Sequence, residues 1–246
     1  MDLRTVMNIE VSSLCDNKCP YCPAQKQKEH REVGLMTMET FMKSMKVVEY
    51  CVKKGTQTEL NLFGIGEPTL NPKLVEMVKY ARDHLPPRIE LHLNTNGNRM
   101  TLNYAKSLKD AGITHVDVTG HEPLVAAKAV VALKHHRIYR GLSRDFIEFP
   151  NTWAGQVEWL EPDYEVIIHV ECPWLKKGQV MITWDGKLAT CCMDAFGRGV
   201  VGTVDDDLDK INLKEYELCK TCHHMLTRYR QLSNGTVVDL KGGPRI

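Results

Sequence analysis

Cys15-Asp-Asn-Lys-Cys19-Pro-Tyr-Cys22 follows directly on Arg4-Thr-Val-Met-Asn-Ile-Glu-Val11, and this junction decides the reading of the chain. Val6, Ile9 and Val11 give residues 4–11 the look of a first strand. The loop after it carries three thiols in the spacing C-x3-C-x2-C, close enough to converge on one metal centre. Thiolates hold iron–sulfur clusters, and four of them saturate a cubane, so three leave one iron open. Zinc is the competing reading. A structural zinc takes four closely arranged ligands, and the nearest fourth donor would be His30.

Outward from the loop, strand and helix patterns alternate. Met38, Phe41, Met42, Met45, Val48 and Val52 recur at helical spacing over residues 37–53, with Thr37 as N-cap and the methionines as core filler. Residues 58–63 alternate as a strand does and break at Gly64-Ile65-Gly66. A helix over 72–84, a strand over 88–94 ending in the turn Asn94-Thr95-Asn96-Gly97, and a helix over 101–111 stopped by Gly112 come next. A strand over 114–118, a helix over 123–135 and short strands over 137–142 and 145–149 complete the series. This order predicts parallel pairing through right-handed crossovers: an α/β fold, a partial (β/α)6 TIM-type barrel whose active site lies at the C-terminal strand ends. The repeating pattern stops near Asn151 to Asp163, which divides the chain into a barrel over 1–150 and a smaller unit over 151–246.

That second unit holds Cys172, Cys191, Cys192, Cys219 and Cys222. Between the first two, residues 180–189 read as a β-hairpin with Asp185-Gly186 at its turn. Cys219-Lys-Thr-Cys222 is a C-x2-C knuckle, a spacing used by both iron–sulfur and zinc sites. Cys51 stands alone and fits a buried helix position.

The cysteine loop resembles the signature of the radical S-adenosylmethionine (SAM) superfamily, C-x3-C-x-aromatic-C, with Tyr21 in the aromatic place. The resemblance implies a [4Fe-4S] cluster on Cys15, Cys19 and Cys22 whose open iron is chelated by SAM. It also implies reductive cleavage of SAM to a 5′-deoxyadenosyl radical that takes a substrate hydrogen. Ile65-Gly66-Glu67-Pro68 resembles the family's GGEP segment, which places Gly66 and Glu67 at the SAM amino group. Asn94-Thr95-Asn96-Gly97 resembles its TNG segment, with Asn96 near the cofactor, and Thr119 is a further contact. The C-terminal cysteines resemble the SPASM domain or its shorter twitch form, and so imply a second, auxiliary [4Fe-4S] cluster on Cys172, Cys191, Cys219 and Cys222. Cys191 is preferred to Cys192 because it lies five residues after Gly186. Among twitch enzymes the layout looks most like an aminocyclitol dehydrogenase. The bridge at 150–155 has Trp153 where that enzyme's specificity cannot be carried over.

Composition agrees with a metabolic enzyme. The chain has 246 residues, 43% of them hydrophobic, and 32 Lys+Arg against 31 Asp+Glu, which argues against an extensive nucleic-acid surface. Nine cysteines without a signal peptide or a membrane span suit a reducing cytoplasm. His92, His115, His121 and His169 are each expected to be a hydrogen-bonded structural residue. His121, at the catalytic rim, is the candidate for proton transfer. The basic run Lys134 to Arg144 is expected to be a solvated helix end, and the acids 205–209 an exposed turn. Three functions follow. One is an oxidoreductase acting on a small polar metabolite, fed by a reductant such as flavodoxin or ferredoxin. The second is a peptide-modifying enzyme, disfavoured because only 14 residues precede Cys15. The third is a zinc-binding interaction module.

Overall fold

The computed structural model describes residues 1–143, 153–154, 156–157, 165–169, 171–222, 226–231 and 237–239. The expected strand 145–149, most of the bridge and boundary at 150–163, Arg144 and the side chain of His169 lie outside them.

Four strand–helix steps and a fifth strand open the described chain: β1 (Thr5–Ile9), α1 (Met38–Lys53), β2 (Glu59–Asn61), α2 (Leu74–His84), β3 (Glu90–Thr95), α3 (Leu102–Ala111), β4 (His115–Thr119), α4 (Pro123–His135) and β5 (Tyr139–Ser143). Their boundaries follow local chemistry. Thr37 and Thr101 accept from the backbone of Thr40 and Tyr104, each at 3.1 Å, as N-cap hydroxyls do. Gly112 ends α3 in the left-handed conformation at φ 97°, where a side chain would be strained. Met36 and Met45 are buried as expected, but Met42 turns outward and is 39% exposed.

The remainder comprises β6 (Glu165–His169), α5 (Pro173–Lys176), β7 (Gln179–Ile182), β8 (Lys187–Ala189), β9 (Val200–Thr203), β10 (Leu226–Gln231) and β11 (Val237–Asp239). β7 and β8 form the expected hairpin, but the hairpin does not stand apart from the barrel. β7 runs parallel to β1, and the sheet order is β5-β4-β3-β2-β1-β7-β8-β9. Six parallel strands therefore form an open barrel wall, with an antiparallel extension on one side. β6, β10 and β11 make a separate antiparallel sheet.

One face of the wall is apolar. Val6, Leu60, Leu62, Leu91, Leu93, Val116 and Val118 pack with Phe41, Met45, Met77, Leu108 and Leu133 of the helices, all fully buried. The opposite, inner face carries Asn8, Asn61, His92 and Asp117 at alternate positions. Cys51 lies in the apolar layer at 0% exposure, as its helical position predicts. Among the described residues no helix is long and apolar enough to cross a membrane.

Candidate active site

The loops after β1, β2, β3 and β4 gather at one end of the wall, where strand C-termini place active sites in such folds. Cys15, Cys19 and Cys22 line a single cleft there, together with Gly66, Glu67, Asn96, Thr119, Tyr21 and His121. Every residue expected from the first cysteine loop and the two resembling segments is thus brought to one place.

Close backbone approach builds the cleft. Glu67 N donates to Leu14 O at 2.7 Å, so the β2 loop is clamped against the stretch just before Cys15. A Cβ on Gly66 would sit 2.5 Å from Ser12 O and 2.6 Å from Leu14 O, so only glycine fits. Glu67 is 3% exposed. One carboxylate oxygen accepts from Thr69 N (3.0 Å), Thr69 Oγ1 (2.6 Å) and Thr95 Oγ1 (2.7 Å), and the other from Asn96 N (2.7 Å). Burial pushes this carboxyl up, and these donors pull against it. Its part in the cleft is therefore largely to join the β2 and β3 loops. Asn96 Nδ2 donates to Asp16 Oδ1 at 2.7 Å and Asn98 Nδ2 to Asn17 Oδ1 at 2.8 Å, which ties the β3 loop to the cysteine loop.

Sequence reasoning missed the hub beneath the loop. Glu10, 0% exposed, receives both terminal nitrogens of Arg31 at 2.7 and 2.9 Å, Ile65 N at 3.3 Å and Trp184 N at 3.4 Å. One carboxylate so joins the end of β1, the segment after Cys22, the Gly66 loop and the β7–β8 turn. The only signal in the sequence was an acid within an otherwise apolar strand end. Trp153 was also missed as a contact; its Nε1 donates to Tyr21 O at 3.0 Å.

His121 Nδ1 lies 3.5 Å from Cys19 Sγ and hydrogen-bonds Tyr21 Oη. Burial lowers its imidazole below the usual value. His30, the candidate fourth zinc ligand, instead packs on Phe196 with ring centres 4.0 Å apart. His92 and His115 are hydrogen-bonded or ion-paired as expected, to Asn61 and Asp117 and to Glu90. Lys134 lies in the last turn of α4 over the Tyr139 ring, and Asp207 caps a short turn, as expected of a helix end and an exposed turn.

The second cysteine group also gathers. Cys222 is buried with Leu218 and Ala154, and Cys172 and Cys219 pack on the same small cluster. The Cys219 thiol is raised by burial and by its neighbours Cys191 and Cys172. Cys192 lies within electrostatic reach of Cys172 and Cys222 as well, and its hydrogen bond with Cys191 holds Cys192 down and Cys191 up. The structure thus brings five thiols to this place, so Cys192 is as well placed as Cys191. None of the nine cysteines is disulfide-bonded.

The donor chemistry fits an iron–sulfur cluster. Three thiols border an open cleft, beside a glycine cradle with a carboxylate behind it. Among the described residues no group of three or more His, Cys, Asp or Glu is set around a single metal ion. In the metal-free site burial pushes Cys15 up to about 11 and Cys22 up to about 12, so loading must displace protons.

These features place three thiols, a glycine cradle and a buried carboxylate together at the mouth of an open barrel. The family model described as the radical SAM superfamily matches residues 9–146, more than half of the chain, and the chain belongs to that superfamily. It is therefore a radical SAM enzyme that uses a [4Fe-4S] cluster and SAM, which sets aside the zinc-binding interaction module. It is 31% identical over 126 residues to 7,8-dihydro-6-hydroxymethylpterin dimethyltransferase of Methanocaldococcus jannaschii, covering 49% of this chain and 24% of that protein. It is 30% identical over 139 residues to GTP 3′,8-cyclase of Nautilia profundicola, covering 55% of this chain and 42% of that protein. The chain thus spans less than half the length of either relative. The crystal structure of BtrN in complex with AdoMet and 2-DOIA shares the fold at TM-score 0.66 and 21% identity, over 83% of this chain and 80% of that one.

Proposed function

We propose that the chain is a radical SAM oxidoreductase that acts on a small polar metabolite and passes an electron to an auxiliary [4Fe-4S] cluster. Cys15, Cys19 and Cys22 would hold the first cluster, with SAM beside Gly66, Glu67, Asn96 and Thr119. Cys172, Cys219, Cys222 and one of Cys191 and Cys192 would hold the second, in a unit spanning 151–246. When bound, the first cluster and SAM supply a 5′-deoxyadenosyl radical able to abstract a substrate hydrogen. The chain's own residues position the loops, screen the cleft with Tyr21 and Trp153, and place the His121 imidazole at its rim. Burial keeps that imidazole neutral over more of the pH range, as a proton acceptor requires. A cytoplasmic flavodoxin or ferredoxin would be the reductant.

The observation that carries this reading is the convergence of three thiols and the Gly66–Glu67 loop on one cleft. The oxidoreductase subtype leans on the separate gathering of five thiols near Cys222. Anaerobically purified protein should be brown, hold about eight irons per chain, and form 5′-deoxyadenosine from SAM and dithionite. Protein that binds zinc and forms none would end the reading. A stoichiometry of about four irons would remove the auxiliary cluster and with it the oxidoreductase subtype.

A further inference from the structure

Trp153, Ala154 and Gln156 form a short bridge that touches both cysteine groups. Trp153 lines the first cleft, and its Nε1 donates to Tyr21 O at 3.0 Å, directly before Cys22. Ala154 is buried with Leu218 and Cys222 of the second group. Its carbonyl accepts from Thr221 Oγ1, inside the C-x2-C knuckle. Two consecutive residues other than glycine stand here in the left-handed region, Trp153 at φ 50° and Ala154 at φ 57°. Side chains avoid that region, and such strain persists only where the surroundings hold it in place.

Gln156 is the holding group, and it is buried. Its Nε2 donates to Trp153 O at 2.7 Å and to Met193 O at 2.6 Å, and its Oε1 accepts from Ala195 N at 3.0 Å. Two carbonyls on one side and an N–H on the other leave the amide a single satisfied orientation. Met193 follows Cys192 directly, so the glutamine fastens the bridge to the segment that carries Cys191 and Cys192. That segment then runs onto the first site. Ala195 and Phe196 are buried with Ile65, and Trp153 and Ala24 pack on the same three side chains. Ile65 stands where the resembling GGEP segment has its first glycine, beside Gly66. The isoleucine gives the cradle an apolar surface for the residues after Cys192 to cover, which a glycine would not.

We infer that Gln156 is a positioning residue through which order at the second cysteine group sets SAM affinity at the first. The inference rests on the enzyme reading above and adds a coupling between its two sites. Metal at the second group fixes the Cys191-Cys192 segment and the Cys219–Cys222 knuckle, because binding there orders the chain that supplies the thiols. Gln156 and Thr221 each hold the bridge to one of those segments, so both pass that order to Trp153, a wall of the first cleft. Ile65 receives it by a second contact, through Phe196. Each site then biases the other by one shared free energy.

Equilibrium SAM binding to the anaerobically loaded protein tests this, with iron counted for every variant. Cys222→Ala, which keeps the first cluster, should bind SAM about tenfold more weakly than the parent. Gln156→Ala should lose a similar factor. The double variant should lose no more than either single one, because both changes cut one path. Thr221→Val should behave as Gln156→Ala does, and Thr221→Ser, which keeps the hydroxyl, as the parent does. Parent-like SAM affinity in Cys222→Ala, or in both Gln156→Ala and Thr221→Val, overturns the coupling. Losses that add in the double variant overturn it too, since Gln156 would then act on the cleft by itself. A parent protein that forms no 5′-deoxyadenosine overturns the enzyme reading instead. Iron content and SAM cleavage in the parent report on that reading, and the variants' affinities report on the coupling, so the two failures are told apart.

Discussion

The two cysteine groups are held in different ways. The first is framed by protein. Glu10 and Arg31 pair bidentately beneath it, Leu14 O receives Glu67 N, and Asn96 and Asn98 tie it to the next loop. The second rests, among the described residues, on an apolar cluster of three buried residues, Ala154, Leu218 and Cys222, with Tyr216, Cys172 and Cys219 packed against it. Its thiols otherwise cap short turns, as Cys172 does for Leu175 N at 3.5 Å and Cys191 for Met193 N at 3.4 Å. A site built by side-chain networks exists before its metal arrives. A site built on so little core draws its order from the metal, because binding energy there is folding energy.

The largest effect separates the groups by chemistry. Cys19→Ala should abolish 5′-deoxyadenosine formation, a fall of at least about a thousandfold, since the cofactor does the hard chemistry. Cys222→Ala should keep that cleavage, stop substrate conversion and lower iron from about eight to about four per chain. Conversion by Cys222→Ala at the parent rate would remove the auxiliary cluster from the reaction.

Next comes the frame itself. Arg31→Met leaves the fully buried Glu10 carboxylate without its partner, which costs about 3–5 kcal/mol. In a chain of this size that lowers the melting temperature by roughly 6–20 °C. SAM binding should weaken with it, because Glu10 also holds Ile65 N next to Gly66. An unchanged melting curve would show that the first site does not depend on its frame.

Much of the first site was legible because its information is local. Val6 and Ile9, the Thr37 cap and the Gly112 stop each act on their own few residues, and the cysteines share one loop. What escaped was non-local. The pairing of β1 with β7 joins Thr5 to Gln179, and no periodicity in either strand announces it. Glu10 shows its role only once Arg31, Ile65 and Trp184 surround it. Residues 191 and 192 point to the same cluster because the chain turns sharply after β8, a geometry that spacing from Gly186 cannot resolve.

Thiol titration gives a smaller, graded contrast within the first group. Burial raises Cys15 to about 11 and Cys22 to about 12, so at pH 8 both are almost wholly protonated in the metal-free chain. Their alkylation by iodoacetamide, followed by peptide mass spectrometry, should rise about tenfold per pH unit until those values, Cys15 levelling off first. Cluster assembly, which must displace the same protons, should likewise quicken as pH rises. A plateau near pH 8–9 for either thiol would mean that the loop opens before it is loaded, and the claim of a pre-built site would fail.

The smallest effect tests the second group most directly. Leu93 is fully buried in the main core, and Leu93→Ala should cost about 2–5 kcal/mol, because its neighbours on strand and helix cannot collapse into the space left. Leu218 is also buried, at 3% exposed, but among the described residues it belongs to a small cluster with Ala154 and Cys222, lined by Tyr216, Cys172 and Cys219 beside short turns. Turns of that kind can close around the missing methyls, so Leu218→Ala should cost about 1 kcal/mol or less in metal-free protein. In the loaded protein the same change should appear as faster loss of iron from the second site to a chelator, while the first site keeps its iron. Equal costs for Leu93→Ala and Leu218→Ala without metal would make the second group a folded unit in its own right. The contrast between a framed site and a metal-ordered one would then disappear.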